Sequence, residues 1–240
     1  MEMFEVVLAG IIAPAALVLI WGRACRVTTG GLAPGMVVSG IGSLAVAAVV
    51  AHFVVEPGVT MASRYWTVLP TLPMVEVVAT ILMAEALKIW SLRWSLVVTD
   101  DLTWRRFAIL AAWTGAGFAA AETCLHVFRT GDNALLWRSL AVAPLHVLNA
   151  IIGGWLLWRG IQRGVPALTI AAFAVSATLH VLFTWAATSN ALGGWGIPVV
   201  VLAMLVPAAM LLVRPDDTRR AAPVRKIPCN MPYKEIGITD

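Results

Sequence analysis

Long apolar runs separated by short polar breaks fill the chain, and each run is about as long as a bilayer requires. Runs able to span about 30 Å of hydrocarbon cover residues 3–22, 33–55, 74–98, 106–128, 136–158, 165–188 and 196–213. They predict seven transmembrane helices in an all-α, polytopic bundle over residues 1–214, followed by a basic tail over 215–240. No internal repeat, low-complexity stretch or soluble domain is evident. The first run is led by Glu2 and Glu5 and stays apolar to Trp21, which reads as a retained anchor and not a signal peptide.

Local signals refine the boundaries. Pro70 and Pro73 precede the third run and set its start, because the residue before a proline is pushed out of helical geometry. Thr99 or Asp100 is the expected stop and cap before the fourth. Gly35, Ser39, Ser43 and Ala47 recur every fourth residue, a small-residue stripe that lets a neighbouring helix approach closely. Most of the 11 tryptophans, Trp66, Trp90, Trp94, Trp104, Trp137, Trp155 and Trp158 among them, fall near run ends, as an interfacial belt would place them.

Composition agrees with this pattern and charge adds an orientation. The 240 residues are 60% hydrophobic, against roughly 45–50% in a soluble domain, with a mean hydropathy of +0.86. All but Arg64, Arg129 and Arg138 of the 17 Lys and Arg residues fall on one side of the expected spans. Cationic loops resist translocation, so the N-terminus is expected outside and the C-terminus inside, in a multi-pass protein of the cell (inner) membrane. The pI of about 9.3 then reflects a tail facing anionic lipid and gives no reason to expect nucleic acid. Cys25, Cys124 and Cys229 show no metal-ligand spacing and no disulfide framework.

Only 12% of the residues are charged, which makes Glu85, Glu122, His146 and His180 conspicuous, each in a different apolar run. A charge at mid-membrane costs about 2.5–3.5 kcal/mol even on the gentler insertion scale, so such residues are functional candidates by default. At 1.5 Å per residue, Glu85 lies about 15 Å, Glu122 about 10 Å, and the two histidines about 12 to 15 Å below the outer surface. If consecutive helices pack side by side, all four converge in one layer of the outer half of the bilayer.

The sequences around these residues carry a resemblance. Glu85 to Lys88 (E-A-L-K), Gly117 to Glu122 (G-F-A-A-A-E), Pro144 to Gly153 (P-L-H-V-L-N-A-I-I-G) and Leu179-His180 resemble, in order and approximate spacing, the motifs of the PrsW family of intramembrane proteases. The likeness covers residues 70 to 188, and that family is distantly similar to the CAAX-prenyl (Abi) proteases and the Aph-1 subunit of gamma-secretase. It implies a glutamate-dependent peptide hydrolase, with or without a metal, acting on membrane-anchored proteins near the extracytoplasmic face. The chain departs from the pattern at three positions: Ala84 replaces the first glutamate of a pair, Thr123 an asparagine, and Thr184 another asparagine.

The residues themselves are chemically competent. A carboxylate among apolar walls serves as a general acid or base, and imidazoles donate hydrogen bonds or bind metals. Glu85 or Glu122 is expected to activate a water, with His146 and His180 orienting it and stabilising the oxyanion. The same four equally suit a divalent metal such as zinc. Lys88, His126 and Asn149 are the supporting candidates: Lys88 neutralises Glu85 from three residues away, His126 stacks four residues beyond Glu122, and Asn149 steadies the His146 ring from one turn below. His52 reads as interfacial, Glu76 as solvent-reaching and Arg138 as a headgroup anchor. Two other classes remain open: a non-enzymatic subunit, scaffold or transporter whose polar layer lines a path, and a haem protein with His146 and His180 as axial ligands. The tail suits a membrane-protein partner.

Overall fold

The computed structural model describes residues 15, 16, 18, 19, 32–55, 72–98, 103–130, 142–188 and 196–213. Among these, every element is helical and no strand occurs. Helix α1 spans Leu32–Val50 and continues as a π-helical turn at Ala51–Val55; α2 spans Leu72–Val98, α3 Trp104–Thr130, α4 Ala143–Arg163, α5 Pro166–Thr188 and α6 Gly196–Val213. Positions 15, 16, 18 and 19 of the first run are helical too, and Val18 is fully buried. Three stretches are long and apolar enough to cross a membrane: Leu32–Val55, Trp104–His126 and Pro166–Ala187, with mean hydropathies of 2.1, 1.3 and 1.8. The basic tail lies outside the described residues, as do Cys25, Cys229, Arg138, Trp66 and Trp137.

The helix ends are set by backbone chemistry, which the apolar runs only approximate. Thr99 and Asp100 lie outside the described residues; the observed cap of α3 is Thr103, whose Oγ1 accepts the Arg106 N–H at 3.4 Å and whose carbonyl accepts the Phe107 N–H at 3.0 Å. Pro73 sits within the first turn of α2 and not ahead of it, where its missing N–H is no loss. The fifth run was expected to end at residue 158, yet α4 continues to Arg163. Apolarity stops at Arg159, but the turn comes at Gly164, the left-handed residue with φ 62°, where Val165 N–H reaches the Gly160 carbonyl at 2.9 Å. Pro166 then opens α5.

Five helices close a ring: α1 packs on α3, α3 on α4, α4 on α5, α5 on α2, and α2 back on α1, with α6 against the outside of α4 and α5. The expected side-by-side packing of consecutive helices therefore holds for α3, α4 and α5 but not for α2 and α3, which meet mainly through side chains in the ring's interior. Helix α3 packs closely on both ring neighbours because its glycines admit them on two sides. A Cβ on Gly115 would collide with the His146 carbonyl of α4, and one on Gly117 with the Val37 carbonyl of α1.

The small-residue stripe on α1 is correspondingly different from the one expected. Met36, Gly40, Ser43, Leu44 and Ala47 face inward, whereas Gly35 is exposed with open space around it. A strict four-residue repeat drifts around a helix of 3.6 residues per turn, so steps of three and four must mix to stay on one face. The tryptophans divide as well. Trp90 and Trp94 are exposed on α2, but Trp104 and Trp158 are buried with ring centroids 5.9 Å apart. Trp104 Nε1 donates to the Leu211 carbonyl at 2.8 Å, satisfying one of the orphan carbonyls at the end of α6 and joining it to α3. These two rings bind helices together.

Candidate active site

Each helix from α2 to α5 contributes one of the four ionisable side chains, and the ring brings all four together as two carboxylate–imidazole pairs. Glu122 Oε2 of α3 lies 2.6 Å from His146 Nε2 of α4. Glu85 Oε1 of α2 lies 2.7 Å from His180 Nδ1 of α5. Against a carboxylate, the ring nitrogen is the donor in each. The two imidazoles meet edge to face with centroids 4.9 Å apart, so the pairs form one cluster.

The pairs differ in access. Glu85 is 2% exposed, and its Oε1 also accepts from Lys88 Nζ at 2.5 Å. Lys88, equally buried, places its ammonium 4.2 Å from the centre of the Phe118 ring. The side chain of Glu122 is 28% exposed and faces an open-mouthed cavity of about 520 Å³ lined by α1 and its π turn, α2, α3 and α5. His52, Thr80, Glu122, His180 and Thr184 supply the cavity's polar lining and the rest is aliphatic or aromatic. Glu85 does not line it. A largely apolar cleft of this size with a few convergent polar groups has the usual character of a ligand site.

The supporting residues resolve individually. Lys88 pairs with Glu85, as its spacing implied, but the same carboxylate oxygen also holds His180. Asn149 does not steady the His146 ring: its Nδ2 donates to the Ser176 carbonyl at 3.1 Å, linking α4 to α5. The cause is rotational, since a side chain three residues on in a helix overlaps its predecessor only in part. His146 Nδ1 accordingly takes no bond from the described residues. His126 is half-buried one turn beyond Glu122, and His52 is exposed in the π turn at the cavity wall. Glu76 lies in the first turns of α2. Ala84, beside Glu85 in sequence, lines the cavity with a methyl group.

Phe118, four residues before Glu122, has a place in the cluster that no expectation assigned to it. Its ring lies 4.7 Å from that of His146 and 6.4 Å from that of His180, while the Lys88 ammonium sits over it. The signal available in sequence was an aromatic residue four positions before a membrane-embedded glutamate, on the same helix face.

Cofactor candidates can be tested against this geometry. The contacting imidazoles leave no space for a haem plane between them. For a metal, Glu85, His146 and His180 each offer a ligand atom, all within 4.8 Å of one another, and a carboxylate with two imidazoles is a familiar zinc donor set. The obstacle is Lys88, whose ammonium is already seated on the Glu85 carboxylate. Two unit charges 4 Å apart interact by about 4 kcal/mol at an effective dielectric of 20, and a dication would be repelled roughly twice as strongly. With the ammonium in place, the residues do not fit a divalent metal.

The chain matches no protein-family model, no curated protein and no solved structure.

Proposed function

We propose that this chain is an intramembrane peptidase of PrsW type, cleaving membrane-anchored proteins near the extracytoplasmic face, with Glu122 as the water-activating base. The observation that carries the reading is that Glu122 alone among the carboxylates of the cluster both lines the cavity and is held by an imidazole. A water on its exposed edge attacks the scissile carbonyl while the carboxylate takes the proton, and His146 keeps that carboxylate in place. His180 lines the same cavity with its Nδ1 committed to Glu85. Glu122 returns its proton to the leaving amine.

The reading includes seven spans with the N-terminus outside, in the inner membrane. The strong bias of Lys and Arg to one side of the runs supports it. The substrate is a membrane-anchored protein whose apolar segment enters the cavity, and the basic tail is left for lipid headgroups or a membrane-protein partner.

A second reading, a catalytically silent relative acting as a membrane subunit, scaffold or transporter, is favoured by one observation: Ala84 puts a methyl group where the family pattern has its first glutamate. Co-expression with a panel of single-span reporters separates the two. Wild type is expected to cleave at least one reporter and Glu122→Gln none. Cleavage that survives Glu122→Gln rejects the mechanism, and silence of wild type together with gain of cleavage in Ala84→Glu establishes the second reading.

A further inference from the structure

We propose that Lys88 is the resident cation of this cluster, holding closed a latent divalent-metal site formed by Glu85, His146 and His180. The inference stands whether or not the chain is a peptidase, since it concerns what the cluster binds and not what it cleaves.

The donor trio is already assembled. Its three ligand atoms lie within 4.8 Å of one another on three different helices, and none of the three residues is more than 7% exposed. One carboxylate oxygen and two imidazole nitrogens suit a borderline cation such as Zn²⁺ or Co²⁺. What stands in the way is placed with equal definition. Lys88 comes from one turn further along the same helix as Glu85, is 2% exposed, and puts its Nζ 2.5 Å from Glu85 Oε1. The Phe118 ring holds the ammonium from the other side, and that ring is itself packed on His146 and against His180.

Charge accounting explains the arrangement. A buried Glu85 carboxylate needs a positive partner, and two solutions are available on this framework: a divalent ion held by the trio, or an ammonium built into the chain. They oppose one another, because both draw on the one Glu85 carboxylate and repel at short range. Lysine is the compact, strongly hydrated cation of the two basic side chains, and in this position it gives the site a fixed charge that depends on no metal supply.

Cobalt titration of the detergent-purified full-length protein tests this, with the visible absorption of tetrahedral Co²⁺ and the metal-induced rise in melting temperature as readouts. Wild type and Lys88→Arg are expected to show neither the band nor the rise. Lys88→Met, which removes the charge and keeps the chain length, is expected to bind one Co²⁺ at least about 100-fold more tightly than wild type, and to lose that gain when Glu85→Gln is added. Tight stoichiometric metal in wild type that disappears in Glu85→Gln overturns the proposal. So does a folded Lys88→Met protein that binds no better than wild type. If Lys88→Met fails to fold, Lys88→Gln takes its place in the same titration, and the wild-type result remains decisive alone. Reporter cleavage plays no part in these outcomes, so loss of the peptidase reading would leave them unchanged.

Discussion

The two carboxylate–imidazole pairs use the same groups at nearly the same separation, 2.6 Å in one and 2.7 Å in the other, yet are built for different ends. The α2–α5 pair is closed off: Glu85 is buried and its oxygen is shared between Lys88 and His180. The α3–α4 pair is open: Glu122 is part exposed and faces the cavity. A closed pair with its own counter-charge contributes order, whereas an open pair retains capacity to exchange a proton with something that enters. Identity of residues therefore says little about role until access and counter-charge are known.

The sharpest way to break this contrast is to neutralise each acid in turn. Glu122→Gln preserves shape and a hydrogen-bond acceptor but removes the base, so reporter cleavage should fall by roughly 10²–10⁴-fold while thermal unfolding in detergent changes little. Glu85→Gln should do the reverse in kind, lowering cleavage mainly through loss of folded protein. Equal melting temperatures for the two variants would mean that the pairs are not differentiated as described.

Next in size is the cost of unbalancing the closed pair. Removing one partner of a buried ion pair leaves an uncompensated charge and typically costs about 3–5 kcal/mol, so Lys88→Met in the absence of added metal should be strongly destabilised in a denaturant titration. The double variant Lys88→Met, Glu85→Gln should recover much of that loss, because the two sites share one interaction. Losses that simply add would show that Glu85 and Lys88 do not depend on one another.

How far sequence could foresee this can be judged from the same residues. Glu85, Glu122, His146 and His180 were legible because ionisable groups are costly in apolar runs, and their convergence follows from similar depth. The division between open and closed was not legible. It depends on α2 standing opposite α3 and not beside it, and that arrangement is decided by Gly115 and Gly117, whose missing side chains let α4 and α1 close on α3. Helix ends behaved likewise: residues 33–55, 165–188 and 196–213 were placed to within a residue by apolarity, but α4 ran past Arg159 because a left-handed glycine ends a helix whatever the polarity before it. The stripe on α1 and the role of Asn149 were misjudged for one reason, that small rotations about a helix axis change a side chain's partner.

Gly115 offers a way to disturb the open pair alone. A methyl group there collides with the backbone of His146 itself, so Gly115→Ala must push α4 outward, at a cost typical of overpacking, about 1–3 kcal/mol. Cleavage per folded molecule should fall as His146 moves from Glu122. Gly35→Ala, on an exposed face with nothing nearby, is the matched control and should change stability by no more than about 1 kcal/mol, in the stabilising direction. If both substitutions behave alike, close packing of α3 on α4 does not position the pair.

The smallest effect concerns the tie between the pairs. Asn149 Nδ2 bonds the Ser176 carbonyl and so fastens the helix of His146 to the helix of His180. Removing one such bond costs about 1 kcal/mol, and Asn149 Oδ1 is already buried without a partner, so truncation also relieves an unsatisfied acceptor. Asn149→Ala should therefore lower stability by about 1 kcal/mol or less and leave cleavage per folded molecule within a few-fold of wild type. A loss of cleavage as deep as that of His146→Ala, at unchanged stability, would instead place Asn149 in the chemistry of the open pair, and the separation of a working pair from a structural tie would have to be redrawn around it.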